Sequence, residues 1–138
     1  MTRDGKFKQV TRDHSLLQEQ LDSGLITPEE AKLSQNKNLV TRALGIDPSV
    51  DPEIHVYEAQ QDDIYLLCSD GLSDMVEDEE IRLTLITLKS NPSLTVQQLV
   101  QAANDNGGRD NISAMLIRVV EPFGVPRGLI ARLKTLFR

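Results

Sequence analysis

The chain has 138 residues, of which 39% are hydrophobic and 26% charged, and a formal net charge of −6 at pH 7. This length and composition predict one soluble globular domain with a real core, and no apolar run is long enough for a transmembrane helix. The acidic balance argues against nucleic acid as a partner, because phosphate backbones need a positive surface. Since Met1 does not open a recognisable signal peptide, we expect a cytoplasmic protein.

The predicted elements begin with a hairpin and two short helices. Asp4-Gly5 is a hairpin turn signal. Because almost nothing precedes this turn, we expect the sequence to start inside a domain, between two strands. Ser15 and Thr27 each begin a helix through a capping-box pattern, with Gln or Glu three residues later, and Gly24 is placed to end the first helix.

Structural or surface positions are predicted for both histidines. A histidine beside Asp13 could act as an acid or base, but a single Asp-His pair more often organises a turn through hydrogen bonds. We therefore assign no catalytic role to His14. His55 lies in an alternating stretch at 54–57 that predicts a strand, and we expect it at the surface or at an edge.

A continuous apolar run at residues 64–68, IYLLC, predicts a strand buried on both faces. Cys68 in this run is expected to be a small core residue and not a nucleophile. Ser69, Asp70 and Gly71 then end the strand in a tight acidic turn. Because glycine lets backbone and ligand approach closely, Asp70 is a candidate ligand for a hard cation.

Two helices are predicted after this turn. Asp78 is placed to cap the first, and its apolar positions fall on one face. Thr95 and Gln98 form a capping box for the second, which Gly107 is placed to stop. We expect both helices to cover one face of the sheet, in a layered α+β fold.

A second acidic turn, NGGRDN at residues 106–111, lies directly before an apolar, β-branched run at 112–120. This arrangement again places an aspartate, Asp110, at the end of a predicted strand. If the two strand ends adjoin, the carboxylates of Asp70 and Asp110 would converge on a cation such as magnesium or manganese.

Four motifs occur in a fixed order: TRDHS at 11–15, TRALG at 41–45, LLCSDGLSD at 66–74 and GGRDNIS at 107–113. Together they resemble the C-terminal half of a bacterial type 2C (PPM-type) metal-dependent serine/threonine protein phosphatase. The resemblance covers residues 3 to about 120. It implies about the C-terminal half of a four-layer α-β-β-α sandwich in residues 1–120, with a flap-like helical hairpin at about 15–45.

The resemblance also implies the chemistry. Members of the family hydrolyse phosphoserine and phosphothreonine in proteins with water activated by two or three manganese or magnesium ions, so no protein nucleophile is expected. Asp70 and Asp110 would be metal ligands, Gly71 would shape the first turn, and Asn111 would brace the second by hydrogen bonding. Asp74 would either support the site or cap a helix. The partners would be phosphoproteins made by a serine/threonine kinase, in signalling.

Parts of the family's active site have no counterpart in this chain. The metal-bridging Asp-Gly pair, a further acidic ligand and the phosphate-gripping arginine would all precede Met1. We therefore expect the isolated chain to be weakly active or inactive. Half of a two-sheet sandwich should also expose an apolar sheet face, so self-association is expected.

Other classes of protein are alternatives to this interpretation. A non-catalytic, phosphatase-like binding module would keep the same fold. A calcium loop at 70–80 is disfavoured because Leu72 occupies the third loop position, where the EF-hand pattern requires Asp or Asn. No Asp-x-Asp nucleophile motif follows the strand. Residues 121–138 form a basic amphipathic tail that either docks on the domain or contacts a membrane surface weakly.

Overall fold

The computed structural model describes residues 1–34, 39–43, 45 and 49–121. The chain divides into two units: one combines Met1–Lys8 with the residues from Tyr57 onward, and the other is Gln9–Val56. Within the described residues, no helix has the length and apolar character needed to cross a membrane. The predicted basic amphipathic tail at 121–138 lies, from residue 122 onward, outside the described residues.

Four strands and five helices are formed by the described residues. In chain order they are β1 (Thr2–Arg3), β2 (Lys6–Phe7), α1 (Leu16–Asp22), α2 (Pro28–Leu33), β3 (Ile64–Cys68), α3 (Asp70–Ser73), α4 (Asp78–Thr87), α5 (Pro92–Asp105) and β4 (Ala114–Arg118).

The first unit is built on an antiparallel sheet with the strand order β2-β1-β3-β4. The predicted hairpin is confirmed, since Asp4 and Gly5 join β1 to β2 with φ angles of 51° and 75°. The predicted strand at 64–68 is also confirmed. It pairs with β4 along its full length, and Cys68 stands opposite Ala114 at one end. The end of β3 and the beginning of β4 therefore share one edge of the sheet.

Helices α4 and α5 supply most of the core on one face of this sheet. Ile64 lies in the same buried cluster as the helix residues Ile81, Leu85, Leu99 and Ala103. Strand residues that pack against the cluster include Leu66, Ala114 and Leu116. The prediction that both helices cover one sheet face is confirmed, because side chains alternate across a strand and only one set meets the helices.

The opposite sheet face is apolar and open. Leu67, Met115 and Ile117 are 53%, 60% and 47% exposed, and within this unit no described helix or strand covers them. The prediction that the strand at 64–68 is buried on both faces is therefore wrong. Cys68 is exposed as well, because it lies at the end of the strand, beyond the helix layer.

The starts of α4 and α5 differ from the sequence prediction. Glu77 and not Asp78 is the N-cap residue of α4, and its side chain makes no capping hydrogen bond. Helix α5 begins at Pro92 with Asn91 as its N-cap, whose side chain accepts from the Leu94 N–H. Asn followed by Pro is the stronger start signal, since proline favours the first helical position. Thr95 is therefore a buried first-turn residue whose hydroxyl lies 2.9 Å from the Leu88 oxygen.

In the second unit, α1 and α2 begin as predicted. Ser15 accepts a hydrogen bond from the Gln18 N–H, and Thr27 forms a full capping box with Glu30. The predicted strand at 54–57 is not formed. Ile54 and Val56 are 79% and 94% exposed, and no described strand pairs with this stretch, so its alternating pattern has no ladder to join.

Candidate metal centre

The candidate site lies where the turns that follow β3 and precede β4 meet. A Cβ atom built on Gly71 would lie 2.5 Å from the Asn111 carbonyl oxygen and 3.2 Å from the Asp110 carbonyl carbon. The backbone next to Asp70 is thus in direct contact with the backbone of Asp110 and Asn111. Only glycine permits this approach, because any side chain would occupy the position of the neighbouring carbonyl group.

Ser69 joins the two turns through hydrogen bonds. Its hydroxyl donates to the Asn111 oxygen at 2.8 Å and accepts from the Ser113 N–H at 3.0 Å. Its own N–H donates to the Ser113 oxygen at 3.0 Å. Ser69 is not among the site residues predicted from the sequence. The signal that could have found it is a small hydroxyl residue directly before the first acidic turn.

Each of the two aspartates is oriented by a backbone group. Oδ1 of Asp70 accepts from the Gly71 N–H at 2.9 Å, and Oδ1 of Asp110 accepts from the Asn111 N–H at 2.6 Å. For both residues, the structure gives Oδ2 no hydrogen bond or ion pair with any described residue. Each side chain is therefore held at one oxygen and leaves the other oxygen open for a ligand.

This donor set suits a hard divalent cation, since carboxylate oxygens are the ligands that magnesium and manganese prefer. Across the part of the chain that the structure describes, no group of three or more His, Cys, Asp or Glu side chains could hold a metal ion. A magnesium or manganese ion held by Asp70 and Asp110 would therefore need further donors.

The second turn is shaped by two glycines and held by Asn106. Gly107 and Gly108 have φ angles of 128° and 51°, in the left-handed region that favours glycine. Asn106, the C-cap residue of α5, donates through Nδ2 to the Met75 oxygen at 2.8 Å. The end of α5 is thereby fixed to the segment that follows α3, which positions Asp110 beside the first turn.

The remaining predicted site residues have defined positions. Asn111 contributes through its backbone, because its N–H binds Asp110 and its carbonyl oxygen binds Ser69. Asp74 is the exposed C-cap residue of α3, and its N–H donates to the Asp70 oxygen at 2.8 Å.

Partial desolvation and then the charge of Asp70 raise the pKa of the Cys68 thiol, so this thiol is a poor nucleophile.

A separate cluster of titratable groups lies in the second unit. Both histidines contact one carboxylate: His14 Nε2 lies 2.8 Å and His55 Nε2 lies 2.6 Å from Glu53. These contacts, His14 first, lower the pKa of Glu53 to about 2. Asp13 accepts instead from Gln9, and His14 contacts Glu53, so among the described residues the expected Asp13–His14 hydrogen bond is not formed.

Known proteins resemble this chain over most of its length. The protein phosphatase PhpP of Streptococcus pneumoniae is 36% identical over 121 residues, which are 88% of this chain and 49% of PhpP. The crystal structure of the Mycobacterium tuberculosis serine/threonine phosphatase PstP superposes with a TM-score of 0.77 at 38% identity, covering 86% of this chain and 49% of that one.

A further structure, the PstP catalytic domain in complex with two manganese ions, has a TM-score of 0.70 at 40% identity and covers 86% of this chain and 48% of that one. The chain thus spans about half the length of these relatives, and its fold is the α+β fold of PPM phosphatases. The family model described as stage II sporulation protein E (SpoIIE) matches residues 19–120. Since that match covers well over half of the chain, the chain belongs to the SpoIIE family of PPM-type phosphatases.

Proposed function

We propose that this chain is the C-terminal half of a PPM-type catalytic domain that removes phosphate from phosphoserine and phosphothreonine in proteins. Asp70 and Asp110 are two of its metal ligands. The observation that supports this proposal most is the direct backbone contact between the two acidic turns. That contact brings to one sheet edge two carboxylates, each with an open oxygen.

The proposed cofactors are two or three manganese or magnesium ions, which suit the oxygen donors of the site. Such ions, when bound, lower the pKa of water and neutralise charge on a phosphoryl group. The chain's own part is to hold the two carboxylates rigidly through Gly71 and Ser69, with Asn111 and Asp74 supporting them. No protein nucleophile is needed, in keeping with the raised pKa of the Cys68 thiol.

The isolated chain is weakly active or inactive in this proposal. Two carboxylates occupy only part of the coordination shell of a hard cation, which takes six or more oxygen ligands. Residues 1–120 form the incomplete phosphatase domain, with the flap-like hairpin at about 15–45 and the basic tail at 121–138. The proposed substrates are phosphoproteins made by a serine/threonine kinase in cytoplasmic signalling.

The open sheet face has a role in the same proposal. Leu67, Met115 and Ile117 form an apolar surface that the complementary half of the domain would cover. In its absence, we expect the chain to self-associate through this surface. Weak contact of the tail with a membrane surface remains an independent proposal that rests on its basic amphipathic sequence.

A turnover assay tests the enzymatic proposal. With saturating manganese and a phosphoserine peptide, we expect slow hydrolysis or none from the isolated chain, and we expect any hydrolysis to be abolished by Asp70→Asn and unchanged by Asp105→Asn. Asp105 is a matched control because it is an exposed carboxylate on α5 whose single hydrogen bond within the described part of the chain comes from Gln101. Slow turnover that persists in Asp70→Asn would contradict the assignment of Asp70.

The rival function is a non-catalytic binding module. The coding sequence directly upstream of the first codon distinguishes it from the phosphatase function. An in-frame Asp-Gly pair and an arginine there would support the phosphatase function, because they would supply the metal ligands and the phosphate-binding residue that this chain does not contain. An upstream sequence without these residues favours the binding module.

A further inference from the structure

The two sequence segments that carry the acidic turns are strongly one-sided in charge. Residues 66–80 and 104–116, which carry both turns, contain eight aspartates and glutamates but only one lysine or arginine, Arg109. An anionic substrate would meet mostly negative side chains along these segments, so a cation within them has a large effect on encounter and binding.

Arg109 differs from the other described arginines of its unit because it has no partner among the residues that the structure describes. Arg3 binds Asp63, Arg82 binds Glu79, and Arg118 binds Asp62, each at 2.6 to 2.8 Å. Arg109 is exposed, and the structure gives it no hydrogen bond or ion pair with any described residue. An exposed guanidinium in such acidic surroundings that pairs with no carboxylate is free to bind an external anion.

The turn determines where Arg109 lies. It directly precedes Asp110, and its Cγ and Nε lie 3.9 and 4.0 Å from the position that a Cβ on Gly107 would take. The side chain of Arg109 therefore lies against the backbone of Gly107. Asp110 is bonded to the Asn111 N–H and not to the guanidinium, so the cation and the candidate ligand remain separate groups on one turn.

We propose that Arg109 is a substrate-binding residue, whose guanidinium pairs with an oxyanion of an incoming phosphopeptide. This inference rests on the proposed phosphatase function. The planar guanidinium presents paired N–H donors that match a phosphoryl group or a carboxylate. The partner is therefore either the phosphoryl group itself or an acidic side chain beside the phosphorylated residue.

The test measures binding by fluorescence anisotropy of two labelled phosphoserine peptides at saturating manganese, one with neutral and one with acidic flanking residues. We expect Arg109→Ala to weaken binding by roughly tenfold, the loss of one charge-assisted hydrogen bond. Arg109→Lys should recover part of the affinity. Arg118→Ala is the matched control, since it removes the same charge from the far end of β4.

The two peptides separate the two sources of the anion. An equal loss on both peptides assigns the phosphoryl group as the partner of Arg109. A loss confined to the acidic peptide assigns the flanking carboxylate. Either result supports the inference.

Titration calorimetry of manganese distinguishes the failure of this inference from the failure of the proposed function. If Arg109→Ala binds manganese and both peptides as the unaltered chain does, Arg109 is not a substrate-binding residue. If the unaltered chain binds no manganese, the proposed function and this inference fall together. Because Arg109 is exposed and has no described partner, we expect its substitution to leave the far-UV circular dichroism unchanged.

Discussion

Replacing Gly71 by alanine tests the close approach of the two acidic turns. Gly71 lies in α3, where helix propensity alone predicts that alanine stabilises the chain by up to about 1 kcal/mol. The contact with the second turn predicts the opposite sign. The added Cβ would lie 2.5 Å from the Asn111 oxygen, whereas real Cβ atoms essentially never come within 3.0 Å of another atom.

The magnitude follows from which atom must move. The contacted oxygen belongs to the backbone and already accepts the Ser69 hydroxyl, so it cannot rotate away as a flexible side chain would. Relief of the overlap requires the two turns to separate by at least half an ångström. Overpacking of this kind costs about 1–3 kcal/mol, which exceeds the gain in helix propensity. We therefore expect Gly71→Ala to lower the free energy of unfolding.

Urea denaturation followed by circular dichroism measures this change. Ser73→Ala is the matched control, because it alters an exposed residue of the same helix and should change stability by less than about 0.5 kcal/mol. A Gly71→Ala chain that is as stable as the unaltered chain, or more stable, would refute the close contact between the turns.

Three further substitutions test other contacts. Ser69→Ala should cost about 0.5–1.5 kcal/mol in urea denaturation, because it removes the acceptor of the exposed Ser113 N–H and the donor to the Asn111 oxygen; no change would show that the hydroxyl does not join the turns. Hydrogen bonds from Arg3 lower the pKa of buried Asp63 to about 2, below its ordinary 3.8, so its stabilising effect is complete above pH 4 and is lost as the pH falls towards 2. Asp63→Asn should therefore flatten the fall in melting temperature over that interval, and an unaltered pH profile would contradict the assignment. Leu67→Asp should reduce self-association in sedimentation velocity, whereas Leu83→Asp, at a similarly exposed position on α4, should not; equal effects would show that the open sheet face is not the interface.

Local signals in the sequence predicted much of the fold. The apolar run at 64–68 and the turn signal at Asp4-Gly5 describe features that neighbouring residues alone determine, and both were correct. The prediction of a strand at 54–57 was wrong. Alternation of apolar and polar residues shows that a segment is suited to a sheet, but it does not supply a partner strand. The prediction that Cys68 is a core residue was wrong for a related reason. An apolar run cannot reveal how far along the strand the covering layer of helices extends.

The candidate site was predicted in part. The sequence places Asp70 and Asp110 on glycine-containing turns at strand ends, because those signals are local. The contact between the turns depends on β3 and β4 pairing antiparallel with Cys68 opposite Ala114, which no local pattern encodes. A small hydroxyl residue before the first acidic turn is a local signal for Ser69, but its partners in the second turn follow from that register and are not encoded locally.

Manganese binding by the isolated chain tests the central claim most directly. Titration calorimetry of the unaltered chain, Asp70→Asn, Asp110→Asn and the double variant forms a cycle that measures whether the two carboxylates act on one ion. If they share an ion, either single substitution removes most of the binding and the double variant loses little more. Unchanged affinity in either single variant, or two independent and additive losses, would contradict a shared metal centre.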